Sequence, residues 1–312
     1  MRRHAIAPAL LILAAAALTG GEAVLAPQID GAFWQVAGDP DLGKYTTANQ
    51  QPVDFGVWQA ADGTWQLWSC IRGTKAPGQT RLLYRWQGAK LTDSDWRPMG
   101  IAMEADPGFG EVEGGLQAPF VTRHDGAYLM FYGDWDHICL ARGADGKTFA
   151  RQLTADAKAG MFTEGIGNNT RDPMALVVDG VFHLYYTAYP NKKGAVYLRT
   201  SKDLRSWSPA KKVAFGGAAG TGPYSAECPF VYYHEGFYYL FRTQRYGKNA
   251  QSSVYRSKDP ANFGVDDDRY LVGTLPFAAP EIIDYQGGTY IAVLLPNLKG
   301  IQIAKLKFVP KP

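Results

Sequence analysis

Residues 119–133 read PFVTRHDGAYLMFYG, in which a proline and an apolar run lead into a turn at Gly126 and then into a second strand rich in aromatic residues. This pattern predicts a β-hairpin. The same design recurs in three later segments: PMALVVDGVFHLYYTA from Pro173, PFVYYHEGFYYLFRT from Pro229 and PEIIDYQGGTYIAVL from Pro280. Much of the chain is therefore made of copies of one unit.

A fifth copy, VDFGVWQAADGTWQLWSC from Val53, lacks the leading proline but keeps a turn at Asp62-Gly63. The prolines of the other four copies are separated by 54, 56 and 51 residues, close to the length of a four-stranded propeller blade. We therefore predict an all-β fold, a single five-bladed β-propeller over residues 24–312. We expect residues 31–38 to supply the outer strand of the last blade and so to close the ring.

The amino-terminal residues predict an export signal, residues 1–23. A basic MRRH precedes AIAPALLILAAAALTG, which is apolar but too short and too rich in alanine for a membrane span. We expect cleavage near Ala23, a mature protein that is periplasmic or secreted, and no later membrane span. A net charge of +3, without a basic run interleaved with aromatic residues, predicts no nucleic-acid partner.

The chain has only three cysteines, Cys70, Cys139 and Cys228. So small and odd a number excludes a disulfide framework as the main source of stability. We expect buried free thiols, with a Cys70–Cys139 bridge as the alternative.

Acidic residues stand at the start of three of the five hairpins. Counted back from the turn glycine of its hairpin, Asp54 lies nine residues away, Asp172 eight and Glu227 nine. The first strands of all blades start at the same mouth of the central tunnel, so these side chains are predicted to converge there. Taken singly, each acid could equally cap a strand or pair with an arginine. A purely structural role would then have to be assumed three times, once for each acid.

Carboxyl groups gathered in one confined site are typical of glycoside hydrolysis. One of them protonates the leaving oxygen, and another attacks the anomeric carbon or activates water against it. A third can stabilise the positive charge of the transition state. The alternatives are a carbohydrate-binding propeller without activity, and a phosphorylase or lyase; no evident cluster of basic residues near the acids favours a phosphate site.

Two motifs, Arg171-Asp172-Pro173 and Glu227-Cys228-Pro229, resemble the RDP and EC motifs of glycoside hydrolase family 32. The resemblance extends over nearly the whole mature chain to a superfamily of five-bladed propellers that includes family 43. It implies a furanose sugar, a fructofuranoside or an arabinofuranoside, as substrate. It also implies that Glu227 is the acid/base, Asp172 the transition-state stabiliser and Arg171 a ligand of substrate hydroxyls.

Asp54 takes the position of the nucleophile in this comparison, which predicts a retaining enzyme. The alternative is an inverting arabinofuranosidase or xylosidase that resembles family 43, in which the same residue would be the base that activates water. The first blade departs from family 32, since Pro52-Val53-Asp54 replaces an Asn-Asp-Pro-Asn type of sequence. Asp39 is a competing candidate for the acid of the first blade, but it falls outside the register of the repeat.

Loops that leave each second strand return to the mouth where the first strands start, so they are predicted to supply substrate contacts. Gln117 and Asn169, which flank the acids, are further candidates as ligands of hydroxyl groups. The predicted substrate-binding residues are Arg171, Gln117, Asn169, Trp135, Asp136, Arg72, Tyr189 and Arg242. We predict no cofactor and no metal ligands, although some related propellers hold an ion in the tunnel. The expected partner is an oligosaccharide or polysaccharide.

Overall fold

A computed structural model describes residues 23–94 and 96–311. The signal peptide predicted for residues 1–23 lies outside the described residues except for Ala23. Five antiparallel sheets are arranged as the blades of a propeller, and we number the blades in chain order. The prediction of an all-β, five-bladed propeller is confirmed.

Blades 1 and 2 follow one another along the chain. Blade 1 contains β2 (Gln51–Gln59), β3 (Trp65–Arg72), β4 (Leu82–Gly88) and β5 (Arg97–Met103). Blade 2 contains β6 (Gln117–His124), β7 (Ala127–Gly133), β8 (Ile138–Gly143), β9 (Ala150–Arg151) and β10 (Gly160–Phe162). The last two strands of blade 2 both pair with β8, so its outer edge is split into two short pieces.

Blades 3 and 4 are regular four-stranded sheets. Blade 3 contains β11 (Arg171–Val178), β12 (Val181–Ala188), β13 (Ala195–Ser201) and β14 (Lys211–Ala214). Blade 4 contains β15 (Glu227–His234), β16 (Phe237–Arg245), β17 (Gln251–Ser257) and β18 (Leu271–Leu275). Short 3-10 helices lie in the connections at Gly43–Tyr45, Pro107–Phe109, Pro190–Lys192, Gly217–Ala219 and Gly247–Asn249.

Blade 5 joins the two ends of the described chain. It contains β19 (Glu281–Tyr285), β20 (Gly288–Leu294) and β21 (Gly300–Pro310), and its outer strand is β1 (Leu25–Gly38). β1 pairs antiparallel with β21 from Leu25 opposite Pro310 to Gly38 opposite Gly300. The predicted closure is confirmed, and the closing strand is longer than the predicted residues 31–38.

The turns between first and second strands explain why the repeat is visible in the sequence. In blades 2 to 5 each turn has two residues with positive φ, for example 47° at Asp125 and 79° at Gly126. Positive φ at both central positions defines the type I′ turn, whose twist matches that of the flanking strands. Glycine occupies the second position in all four turns, because it adopts this conformation without steric cost.

The first strand of each blade is innermost, and these strands contact one another in the order β2, β6, β11, β15, β19 and back to β2. The apolar core lies between neighbouring blades, in three clusters of buried side chains. All three cysteines are free, as expected, and Cys70 and Cys139 are buried. No helix among the described residues is long and apolar enough to cross a membrane.

Every inner strand begins with the same backbone irregularity, one residue with positive φ. These residues are Asp54 (43°), Ala118 (41°), Asp172 (56°), Cys228 (44°) and Ala279 (51°). A proline follows in blades 2 to 5, and Phe55 follows in blade 1. The pairing register shifts at this point in blades 1 to 4. A bulge re-aims the side chains beside it, so a common bulge gives equivalent side-chain directions at the mouth of the tunnel.

The closing strand makes a prediction about stability. A chain that begins at residue 39 leaves β21 as an unpaired edge and uncovers the apolar residues packed on β1, so it should melt at least ~10 °C lower than the parent or aggregate. A matched chain that begins at residue 24 keeps β1 and should melt like the parent. Differential scanning calorimetry measures both, and equal melting temperatures for the two truncated chains would contradict a role of β1 in closing the ring.

Candidate active site

A narrow cavity inside the tunnel and a wider one at its mouth share a single acid, Asp54. Thirteen residues line the mouth, and all belong to blades 1 to 4. They are Asp54, Arg72, Arg81, Gln117, Trp135, Asn169, Arg171, Tyr189, Tyr224, Glu227, Gln244, Arg245 and Tyr246. The mouth is the one at which the inner strands start, and we call this wider space the mouth cavity.

Asp54 is held through one of its two carboxylate oxygens. The hydroxyl of Tyr246 donates a hydrogen bond to Oδ1 over 2.9 Å, and the thiol of Cys228 donates to the same atom over 3.2 Å. Burial, followed by the charges of neighbouring carboxylates, raises the pKa of the Cys228 thiol well above its usual value, so the thiol stays protonated. Among the described residues Oδ2 of Asp54 has no hydrogen-bond partner, and it remains available to a ligand.

Glu227 is held in a similar way. Nη2 of Arg171 donates to Oε1 of Glu227, while Nη1 of the same guanidinium donates to the carbonyl oxygen of Asn169 over 2.8 Å. The ring of Tyr189 covers this guanidinium, with Cζ of Arg171 5.2 Å from the ring centroid. Oε2 of Glu227 has no hydrogen-bond partner in the described part of the chain. Both acids of the mouth cavity thus have one anchored and one unbonded oxygen.

Asp172 lies deeper, where it lines the tunnel together with Asp54. Its Oδ2 accepts a hydrogen bond from the backbone N–H of Cys228 over 2.9 Å, and Nε of Arg171 lies 3.7 Å from the same oxygen. Burial, followed by the negative charges of Asp54 and Glu227, raises the pKa of Asp172 to about 8 against the opposing effect of Arg171. Its Oδ1 is buried without a partner among the described residues. At neutral pH this carboxyl group holds a proton.

The alignment of the three acids differs in one detail from the sequence-based expectation. Asp54 and Asp172 occupy the bulge position of their blades, whereas Glu227 stands one residue before the bulge, where blade 3 has Arg171 and blade 2 has Gln117. Counting back from the turn misaligned blade 1, because Gln59 pairs with Trp65 and its turn is longer than the two-residue turns of the other blades. The structure nevertheless brings the three side chains to one end of the tunnel.

Five further predicted contacts, Arg72, Gln117, Trp135, Asn169 and Tyr189, also line the mouth cavity. Gln117 and Asn169 are almost fully buried, and Oε1 of the first and Oδ1 of the second have no donor among the described residues. An unpaired buried acceptor is costly, so both amides are suited to bind hydroxyl groups of a ligand. One face of Trp135 is occupied, since Cζ of Arg81 lies 4.9 Å from its ring centroid.

Two predicted contacts lie outside the mouth cavity, because both side chains are buried in the protein and bond to loops. Asp136 is buried outside the mouth cavity, and its Oδ1 accepts a hydrogen bond from the N–H of Gly167 over 2.8 Å. Arg242 is only 1% exposed and donates to carbonyl oxygens of the loop before β15, those of Gly216, Gly220 and Ser225. Arg242 lies within β16, where alternate side chains face opposite sides of the sheet.

The competing acid Asp39 is also excluded from the mouth cavity. Its Oδ2 pairs with Nζ of Lys299 at 2.8 Å, and its Oδ1 accepts a hydrogen bond from Gln50. In the described part of the chain no group of three or more His, Cys, Asp or Glu side chains could hold a metal ion.

Sequence reasoning missed three lining residues: Arg81, Tyr224 and Tyr246. Gln244 and Arg245, which also line the cavity, lie in the run Arg242 to Arg245 that the repeat places in a loop at this mouth. Four arginines, at positions 72, 81, 171 and 245, stand around the mouth cavity, so the expectation of no basic cluster near the acids is wrong. Arg81 precedes the third strand of blade 1 and is 27 residues from Asp54 in the sequence. Tyr246 directly follows β16, and the repeat places the loops after second strands at this mouth, so this residue could have been found.

Comparison with known proteins assigns the chain to a family. The sequence profile of the family described as glycosyl hydrolases family 43 matches residues 92–270, which is more than half of the chain. The chain belongs to glycosyl hydrolase family 43. This family 43 enzyme is a glycosidase. The assignment selects one family from the superfamily that the motifs Arg171-Asp172-Pro173 and Glu227-Cys228-Pro229 indicate. A search of the curated proteins finds no match.

Solved structures of the superfamily share the fold of this family 43 enzyme. A thermostable family-43 glycoside hydrolase has 16% sequence identity and a TM-score of 0.60, over 84% of this chain and 89% of that one. An exo-1,5-α-L-arabinanase from a bovine ruminal metagenomic library has 15% identity and a TM-score of 0.59, over 82% and 92%. A family 32 β-fructofuranosidase from Bombyx mori has 17% identity and a TM-score of 0.60, over 88% of this chain and 62% of its own.

The raised pKa of Asp172 predicts a pH-dependent stability. Between about pH 4 and pH 8 the folded enzyme retains a proton that the unfolded chain has released, so the free energy of unfolding falls progressively as the pH rises through this range. The neutral isostere in D172N removes this effect. The melting temperature of D172N relative to the parent should therefore increase from pH 4 to pH 8, as measured by calorimetry in a series of buffers.

A matched control is D156N, at an exposed residue outside the tunnel, for which the difference from the parent should not follow this pH course. A D172N difference that is constant across the range would contradict the assignment of a proton to Asp172.

Proposed function

We propose that the enzyme hydrolyses the glycosidic bond of a furanose sugar, an arabinofuranoside in the first place, with inversion at the anomeric carbon. Family 43 membership supports this choice over the retaining mechanism that the comparison with family 32 predicts. An arabinanase and an α-L-arabinofuranosidase among the similar structures favour arabinofuranosides over fructofuranosides.

The observation that carries the proposal is the state of the two carboxyl groups in the mouth cavity. Each is fixed by hydrogen bonds to one oxygen, which orients it, while the second oxygen has no partner among the described residues. A group that accepts or delivers a proton needs a fixed direction and a free lone pair. Glu227 and Asp54 both meet these conditions, and they come from blades that are not adjacent in sequence.

In the proposed reaction, Glu227 delivers a proton from its unbonded Oε2 to the leaving oxygen as the bond from that oxygen to the anomeric carbon breaks. Asp54 accepts, on Oδ2, a proton from a water molecule whose oxygen forms the new bond to the anomeric carbon from the opposite face. The proton gained by Asp54 and the proton lost by Glu227 are exchanged with solvent after product release.

Asp172 has a different part in this proposal. Because it holds a proton at neutral pH, it adds no full negative charge next to Asp54, whose ability to accept a proton is thereby kept. Arg171 positions Glu227 through the ion pair and is itself held against Tyr189.

Substitution of the two acids tests the assignment. D54N and E227Q keep the size of each side chain and should lower kcat by about 100-fold or more on arabino-oligosaccharides, since general acid or base catalysis contributes that much. E227Q should regain much of its rate on aryl arabinofuranosides with an acidic phenol, which leaves without protonation, whereas D54N should not. Rates like those of the parent for both variants on both substrates would contradict the proposal. NMR spectroscopy of the anomer that is released first distinguishes inversion from retention.

We also propose that the enzyme acts outside the cytoplasm, since residues 1–23 have the composition of an export signal. Cell fractionation should find the full chain in the periplasm or medium and a chain that begins at residue 24 in the cytoplasm. Equal distribution of the two chains would argue against export by this segment.

A further inference from the structure

The mouth cavity contains more positive charge than the proposed reaction uses. Four arginines and two acids, Asp54 and Glu227, line it. Arg171 is paired with Glu227, and Arg245 is exposed and bonds to a carbonyl oxygen of its own loop. Arg72 and Arg81 have no carboxylate within 4 Å among the described residues, and Asp54 is the one acid of the mouth cavity left to balance these two guanidinium charges.

Both of these arginines are fixed in place by neutral groups. Nε of Arg72 donates to Oε1 of Gln51 over 2.9 Å, and Cζ lies 6.0 Å from the ring centroid of Tyr246. Nη1 of Arg81 lies 3.9 Å from Sγ of Cys70. Burial is the main reason that the pKa of the Cys70 thiol is raised to about 11, and the thiol is neutral at pH 7.

Stacking on an aromatic ring orients a guanidinium and leaves its N–H edge free to form bonds in its own plane. Among the described residues, both Nη atoms of Arg72 and the Nε and Nη2 atoms of Arg81 have no hydrogen-bond acceptor. Paired N–H groups of this kind match the oxygens of a carboxylate or a sulfate. The two arginines therefore form a ready site for an anionic group, which we call the arginine pair.

The reaction itself requires this charge to be balanced. Positive charge develops on the sugar in the transition state of glycoside hydrolysis, and the excess of guanidinium charge over carboxylate charge beside the same cavity opposes it. Tyr246 links the two sites directly, because its ring faces Arg72 while its hydroxyl bonds to Asp54. An anionic group on the substrate would neutralise the arginine pair while the sugar contacts Asp54.

We propose that the substrate is an acidic glycan, in which a carboxylate or sulfate group of the cleaved sugar or its neighbour binds between Arg72 and Arg81. The inference rests on the proposed glycosidase function and names the substrate class of the same site. It applies equally to a uronic acid and to a sulfate ester, since both present coplanar pairs of anionic oxygens to a guanidinium edge.

Binding and turnover are measured separately, so that failure of this inference can be distinguished from failure of the proposed function. Binding is measured by calorimetry on E227Q, which prevents turnover, with four probes: a uronic-acid oligosaccharide, its carboxyl-reduced counterpart, a sulfated oligosaccharide and its desulfated counterpart. We expect at least one acidic probe to bind about ten-fold or more tightly than its neutral counterpart, as a charged hydrogen bond is worth that much. Which pair shows the difference identifies the anionic group.

Variants R72Q and R81Q in the E227Q background should each reduce binding of the acidic probe about ten-fold or more and leave binding of the neutral counterpart within two-fold. The control R123Q changes an exposed arginine that stacks on Tyr128, away from the mouth cavity, and should bind both probes like its parent. Equal binding of acidic and neutral probes, or equal losses on both in R72Q and R81Q, overturns the inference.

The second measurement is the rate of hydrolysis by the enzyme with Glu227 intact. The acidic preference should appear in kcat/KM, and R72Q and R81Q should lower the ratio of kcat/KM for the acidic substrate to kcat/KM for its neutral counterpart by about ten-fold. If inorganic phosphate accelerates turnover and this effect disappears in R72Q and R81Q, the pair binds phosphate instead and the inference is wrong. If the enzyme binds the acidic probe more tightly than its neutral counterpart but hydrolyses no substrate, the proposed function is refuted and the inference about the substrate class is not.

Discussion

The left-handed residue at the start of each inner strand is the constraint on which the site depends. Five positions share a φ between 41° and 56°, and three of them hold residues that meet around Asp54, namely Asp54 itself, Asp172 and Cys228. Residues other than glycine pay a steric cost for this conformation. Because Ala118 and Ala279 adopt it too, the conformation belongs to the propeller and is not strain created for catalysis; the site uses directions that the fold already provides.

Negative charge in the tunnel is tolerated because the carboxyl groups do not carry it equally. Asp172 is enclosed and holds a proton at neutral pH, while Asp54 receives two hydrogen bonds and Glu227 receives a guanidinium. The thiol of Cys228 and the hydroxyl of Tyr246 stay protonated, since burial raises the pKa of both well above the usual values. Neutral donors, rather than a second cation, therefore orient Asp54, which keeps its charge available for the proton that it must accept.

The sequence was sufficient for the fold and for the acids because both follow the repeat. Turn glycines and strand-initial prolines recur at a fixed period, and Asp54, Asp172 and Glu227 lie at a countable distance from them. The direction of a loop side chain cannot be counted from these repeated residues. Asp136 lies beside Trp135, but only Trp135 faces the mouth cavity, and this difference is set by local turns that the repeat does not encode. Arg81 and Asp54 are brought to the same side of the mouth only by the pairing of β2, β3 and β4 within blade 1.

Aromatic rings explain why acids and arginines coexist at the mouth without cancelling each other. An arginine free to rotate would pair with Asp54 and occupy the oxygen needed for catalysis. Instead, Trp135 holds Arg81, Tyr246 holds Arg72 and Tyr189 holds Arg171, with 4.9, 6.0 and 5.2 Å from guanidinium carbon to ring centroid. Cation–π contact stabilises each cation by ~0.5–2 kcal/mol, comparable with a partly exposed ion pair, so a ring can compete with a carboxylate for the guanidinium. Only Arg171 contacts an acid of the mouth directly, and there the pairing still leaves Oε2 of Glu227 without a partner among the described residues.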